Sequence, residues 1–173
     1  MSREIVLSPR LYFSYSSFLV FDGGVKLPGC DWTPEHSAQG FARRESTVNF
    51  NTLLEFGFAD VAVIHGAYRP REEYERVIEV PFRVTSGKVI VGGPEETEDK
   101  RMIELPPGDY RLTAAQRVTA EKGEGEEGQG EEAIDVYFEL LPQPLERSSV
   151  LVADEALSVP DRLLETAGVA GES

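Results

Sequence analysis

Apolar residues recur at every second position through much of this chain, the spacing of a strand with one face in a core. The clearest run is 74–85. There Ile78, Val80, Phe82 and Val84 share one face, and Val77, Glu79, Pro81 and Arg83 the other. Pro81 has no N–H to give to a ladder, so this strand is expected at a sheet edge or at a bulge. The segment 11–21 opens with Leu11, Phe13 and Tyr15 alternating against Tyr12, Ser14 and Ser16, and Asp22-Gly23-Gly24 closes it with turn residues. Further strands are predicted at 47–51, 56–64, 88–91, 102–105, 109–118 and 133–141. Many short strands punctuated by turns predict an all-β fold, an antiparallel β-sandwich or open barrel, rather than alternating strands and helices.

Two short helices interrupt the pattern. Thr33 can cap a turn that begins at Pro34 and stops at Gly40, with proline at the first helical position and glycine past the last. Near the end, Ser158-Val159-Pro160-Asp161 can form a capping box leading into 162–167, with Gly168 as the terminating residue. The two prolines in 142–149 read as a hinge. The expected organisation is a single β domain over 1–145, with a flexible Glu/Gly loop at 121–132, followed by a C-terminal appendage with a short helix over 146–173.

Composition narrows the class. The chain has 173 residues, 40% of them hydrophobic and 9% aromatic, enough for one cored domain and unlike a disordered chain. No apolar run reaches the length of a membrane span, and Met1–Ile5 does not have the form of a signal peptide. With one cysteine, Cys30, an internal disulfide is ruled out, so the expected location is cytoplasmic.

Charge is uneven along the chain. Residues 1–94 carry 11 acids and 10 bases, whereas 95–139 carry 14 acids against 5 bases, most of the overall net charge of -14. The excess sits in Glu95-Glu96-Thr97-Glu98-Asp99 and in 121–132. Such a field repels nucleic acid and attracts basic surfaces. The 121–132 stretch is Glu/Gly-rich and low in complexity, which suits a solubilising loop. The 95–99 stretch is the better candidate for a positioned anionic surface.

Catalytic and metal chemistry is sparse. His36 and His65 are the only histidines and have no paired spacing with Cys30, so no zinc site is expected. The acidic stretches lack the Asp-x-Asp-x-Asp-Gly pattern of a calcium loop, and the glycines at 87–93 and 123–130 supply no Gly-Lys-Ser/Thr. No cofactor is expected. Cys30 could in principle use His36 as a base, but beside Asp31-Trp32 it reads as a small buried side chain. Trp32 itself is either a core anchor or a half-exposed anchor for a partner.

The order of several segments resembles the competence protein J family. These are Ser14-Tyr15-Ser16-Ser17-Phe18-Leu19-Val20-Phe21, then Asp31-Trp32-Thr33 with a short helix ending in Gly40-Phe41-Ala42, then Val48-Asn49-Phe50, Val80-Pro81-Phe82-Arg83-Val84 and Leu105-Pro106-Pro107-Gly108-Asp109-Tyr110-Arg111-Leu112-Thr113. The resemblance covers about residues 10–140; the 121–132 loop looks like an insertion and the segment after Pro142 an extension. It implies a small acidic protein, not an enzyme, that binds and inactivates a nuclease or nuclease toxin, without direct nucleic-acid or membrane contact. A basic partner would meet Glu95, Glu96, Glu98, Asp99 and Asp109, with Asp31 and Trp32 as a second candidate contact. Two other readings stand beside it: a small-ligand or carbohydrate-binding module using Trp32, Tyr15 and Tyr110, and a structural or regulatory oligomer subunit pairing through an uncovered edge at 74–85.

Overall fold

A computed structural model of the chain describes residues 3–6, 11–13, 17–54, 57–92, 102–121, 123 and 130–168. These residues form two facing sheets and one short helix, the all-β class that the alternation predicts. The smaller sheet contains β3 (Ser17–Asp22), β4 (Phe41–Arg44), β5 (Thr47–Asn51), β8 (Lys88–Gly92) and β9 (Met102–Glu104), in the order β4-β5-β3-β8-β9. The larger sheet contains β1 (Arg3–Val6), β6 (Gly57–His65), β7 (Arg76–Val84), β10 (Gly108–Ala120), β11 (Gly130–Leu141) and β12 (Ser149–Val152), in the order β1-β6-β11-β10-β7-β12, and β2 (Leu11–Phe13) also pairs with β6. All pairings are antiparallel except β6 with β11, which run parallel.

The core lies between the sheets. Phe18, Val20, Phe41, Val48 and Phe50 from one side meet Val61, Val63, Ile78, Val80, Phe82, Leu112, Ile134, Val136 and Phe138 from the other. Ile78, Val80, Phe82 and Val84 are all at most 2% exposed, so the alternation in 74–85 assigned the buried face correctly. Each fully buried side chain of this size contributes roughly 1.5–3 kcal/mol.

The segment 11–21 is not one strand. Residues 11–13 pair with β6 in the larger sheet, whereas 17–22 pair with β5 and β8 in the smaller one. The cause lies in burial: Phe18, Leu19, Val20 and Phe21 are all buried, because Leu19 and Phe21 pack with Ile90, Val25 and Met102 on the outer side of the smaller sheet. A strand buried on both faces carries no alternation to mark where the chain changes sheet.

Pro81 behaves as expected. β12 covers β7 only as far as the Ser149–Glu79 pair. Two residues past Pro81, on the same edge, the Arg83 N–H donates to Glu45 O at 2.9 Å. The missing proline donor therefore faces the stretch where β7 has no strand partner. That partial cover also leaves no long open edge over 74–85.

Asp22 shows why its turn holds. Only 1% exposed, its carboxylate accepts N–H groups from Gly24 (2.9 Å), Thr85 (2.8 Å) and Ser86 (3.0 Å) and the Thr85 hydroxyl (3.1 Å). Burial pushes its pKa up, but these donors outweigh burial and hold it below its ordinary value.

The C-terminal segment 142–168 differs from expectation. Residues 158–168 form no helix; beyond β12 the chain crosses the side of the sandwich where β4 faces β7 and β12. Its backbone groups are taken by other parts of the protein, which leaves no i→i−4 ladder to build. Ser158 N–H donates to Ala38 O (2.9 Å), Leu164 N–H donates to Gln39 Oε1 (2.8 Å), and Gln39 Nε2 returns a bond to Leu164 O (3.0 Å). Leu157 lies on Gly40, and Leu163 and Val150 pack against the core. We refer to 142–168 as the strap.

A buried polar knot ties the strap to both sheets. Arg76, 2% exposed, donates Nε and Nη2 to the two carboxylate oxygens of Asp154 (2.6 and 3.0 Å) and Nη1 to Asn51 O (3.0 Å). Gln116 Nε2 donates to the same carbonyl (3.0 Å). Beside them Glu132, fully buried, accepts the N–H groups of Leu53 (3.3 Å) and Leu54 (3.0 Å). Glu132 belongs to β11, which begins at Gly130, so the end of the acidic 121–132 stretch is strand and its last carboxyl is in the interior.

Burial pushes Glu132 up to about 7, against the opposing pull of the Leu54 and Leu53 donors, Gln116 and Arg76. In the unfolded chain this carboxyl ionises near its ordinary pKa of about 4.3. Between those values the native state holds a proton that the unfolded state has lost, so stability falls as pH rises through the window and levels off above about 7. The loss is of order 3 kcal/mol. Urea unfolding from pH 5 to pH 8 is expected to show this decline, and Glu132→Gln is expected to flatten it. Equal slopes in the two proteins would contradict the assignment.

Candidate partner-binding surface

The Asp31-Trp32-Thr33 corner is shaped by helix α1 (Pro34–Gln39). Thr33 caps it as predicted: its hydroxyl accepts the His36 N–H (3.3 Å), while His36 Nδ1 accepts the Thr33 N–H (3.1 Å). Gly40 ends the helix at φ 91, a left-handed conformation that glycine adopts without strain. Because Nδ1 accepts, Nε2 carries the proton and donates to Thr166 O (3.0 Å). Trp32 is half-buried, edge-on to the His36 ring at 6.2 Å. Asp31 is exposed, and its N–H donates to Gly168 O (2.8 Å). The end of the strap therefore lies directly on this corner.

Asp109 sits at the start of β10, after a tight corner. Tyr110 is fully buried and donates its hydroxyl to Pro106 O (2.7 Å), which fixes the Pro106–Tyr110 turn. Its burial removes Tyr110 from any exposed ligand-stacking platform. The Asp109 carboxylate is 3.4 Å from Arg83 Nε, and Arg83 also pairs with Glu45 at 3.0 Å. Asp109, Glu45, Arg83 and Arg43 line a small cavity of about 210 Å³ together with Pro144 and Leu145 of the strap. Arg43 connects the two corners, because it reaches Glu165 O (2.7 Å), and the Glu165 carboxylate accepts the Ser148 N–H (2.9 Å) and hydroxyl (2.7 Å).

Of the expected contact residues, Asp31 and Trp32 thus lie at the far end of the strap, and Asp109 beside its proline-rich start. The strap links them, but they do not form one cluster. Glu95, Glu96, Glu98 and Asp99 lie outside the described residues. Sequence reasoning did not single out the exposed apolar residues Leu151, Val152, Val159 and Leu164, the last of which it placed in a helix over 162–167. It also missed Asp135, whose carboxylate accepts the Tyr74 hydroxyl (2.6 Å) under a lid of Tyr68, Tyr74 and Tyr137 on the outer face of the larger sheet. Burial, then the bonds to Asp135 and Tyr137, push the Tyr74 hydroxyl far above its ordinary pKa.

The Cys30–His36 nucleophile–base pair considered from sequence is not assembled. His36 gives both ring nitrogens to other partners, and burial pushes the Cys30 thiol up, away from the reactive thiolate. Among the described residues no cluster of three or more His, Cys, Asp or Glu side chains could hold a metal. Among them, no helix is long and apolar enough to cross a membrane.

Comparison with known proteins agrees with the order of motifs. The crystal structure of ComJ from Bacillus subtilis, inhibitor of the DNA-degrading activity of NucA, is similar to this chain with a TM-score of 0.58 and 22% identity, over 80% of this chain and 95% of that one. The crocagin biosynthetic gene J protein is similar at a TM-score of 0.48 and 18% identity, over 79% of this chain and 96% of that one. No curated protein sequence matches. The Competence protein J (ComJ) family matches residues 10–141, from β2 to the end of β11, and this chain belongs to that family.

Proposed function

We propose that this chain is a non-catalytic inhibitor that binds a nuclease in the cytoplasm and blocks its basic active-site groove. The observation that carries the reading is family membership over residues 10–141, together with a fold shared with an inhibitor of the DNA-degrading activity of NucA. The physics supports it. A nuclease groove must attract phosphates, so a surface of carboxylates competes for the same field and associates quickly. The net charge of -14 supplies that field. Within it, Glu95, Glu96, Glu98 and Asp99 are the proposed anionic contact, and Asp109, Asp31 and Trp32 are further proposed contacts.

The test is DNA degradation by Bacillus subtilis NucA and by the nucleases of the chain's own host, with the purified protein added in low salt. Stoichiometric suppression of at least one nuclease is expected, with a complex on gel filtration. Undiminished degradation by all of them would overturn the reading. For the inhibited nuclease, replacing Glu95, Glu96 and Glu98 by Gln and Asp99 by Asn is expected to slow association about tenfold and flatten its salt dependence. An unchanged association rate removes that stretch from the contact.

A further inference from the structure

Two carboxyl groups, Glu132 and Asp154, depend on one buried guanidinium. The ladder of the larger sheet sets Arg76 of β7 opposite Gln116 of β10, and Glu132 of β11 two residues before Ile134, the partner of Gln116 on its other side. Side chains at such diagonal positions share a face of the sheet and come within reach of one another. Arg76, Gln116 and Glu132 are each at most 2% exposed. Among the described residues, Arg76 is the charged group that acts on Glu132, and Arg76 also holds Asp154 of the strap. The other groups that bear on Glu132 are uncharged: the N–H groups of Leu53 and Leu54 from the turn after β5, and the Gln116 amide from β10.

The balance of charge here turns on one proton. With Glu132 protonated, Arg76 and Asp154 form a neutral pair. With Glu132 ionised, one cation serves two anions, and the interior holds a surplus negative charge, which is costly in a medium of low dielectric. The two carboxylates differ in their means of escape. Glu132 is fully buried within a long strand and has no route to water. The Asp154 side chain is 21% exposed, its neighbours Ala153 and Glu155 are exposed, and β12 just before it slips register between Val150 and Val152. Asp154 is therefore the carboxylate that turns to water when both are charged.

We propose that Glu132, Arg76 and Asp154 form a proton-operated latch on the strap: the proton on Glu132 leaves Arg76 to Asp154 and holds the strap closed, and loss of that proton loosens the strap around 153–158. The raised pKa of Glu132, about 7, sets the working range near neutrality. The coupling is reciprocal: Asp154 draws on Arg76 and so favours the proton on Glu132. The latch does not depend on what the protein inhibits.

The test is hydrogen exchange on the full chain, with a carbon-13 titration of the Glu132 carboxyl. Ser158, whose N–H donates to Ala38 O four residues past Asp154, reports on closure, and the amides of β10 and β11 report on the fold. From pH 6 to pH 8, corrected for intrinsic exchange, protection of Ser158 is expected to fall at least tenfold relative to those strands in the wild type. In Glu132→Gln, which stays neutral and can still accept from Leu53 and Leu54, it is expected to stay within twofold. Every other strap contact is common to both proteins, so the difference isolates Glu132. In Asp154→Asn, which leaves Arg76 to Glu132, the Glu132 midpoint is expected to drop by about one pH unit or more. The latch is overturned if Ser158 loses protection equally in the wild type and Glu132→Gln, or in neither, and also if the midpoint does not move in folded Asp154→Asn. Where Asp154→Asn fails to fold, the exchange comparison decides alone.

Discussion

The side chain of Gln39 gives Leu164 both halves of a backbone pairing: its oxygen takes the N–H at 2.8 Å, and its nitrogen meets the carbonyl at 3.0 Å. Gln39 is itself fully buried, so each of these groups would cost about 1–3 kcal/mol if left without a partner. Two sheets facing each other leave a side where β4 and β7 come together without pairing. The Glu45–Arg83 backbone bond joins them at one end, and the strap joins them along the rest. Leu157 and Leu163 add apolar cover there, and Arg43 and Arg76 tie the segment down through Glu165 and Asp154. Surface salt bridges of this kind contribute little, but Arg76 is 2% exposed and would be a buried unpaired charge without Asp154.

The acid count overstates the field available to a partner. Asp22 is surrounded by N–H donors in a turn, Glu132 sits in the interior with a pKa near 7, and Asp109, Glu165 and Asp154 lie against arginines. Among the described residues, the acids that face water without such a role include Glu146, Glu155 and Asp161 on the strap and Asp31 at its end. Exposed acids of this kind lie outside the strap as well, at Glu72 and Glu104.

How far the fold was legible depended on the signal each element carried. Alternation identified the buried face of β7, and cap chemistry placed α1 through Thr33, Pro34 and Gly40, because both are local. The split between β2 and β3 was hidden because both faces of β3 are covered. β4 carries Phe41-Ala42-Arg43-Arg44, with two arginines whose guanidinium groups serve the strap and the 27–29 loop, so no period marks it. The 158–168 segment satisfied every local rule for a helix and still formed none, since Gln39 and His36, about 125 residues earlier, claimed its backbone. The candidate surface followed the same division. Asp31, Trp32 and Asp109 were visible as residues, but their relation to the strap depends on contacts between distant parts of the chain.

Native-state hydrogen exchange tests the role of the strap most directly. Three amides report on it: Leu164 bonded to Gln39, Ser158 bonded to Ala38 O, and Asp31 bonded to Gly168 O. If the strap closes the sandwich as an integral part of the fold, these amides exchange about as slowly as those of β10 and β11, and they speed up together in Gln39→Ala. Exchange at the rate of an unstructured chain, with β10 and β11 fully protected, would contradict the account.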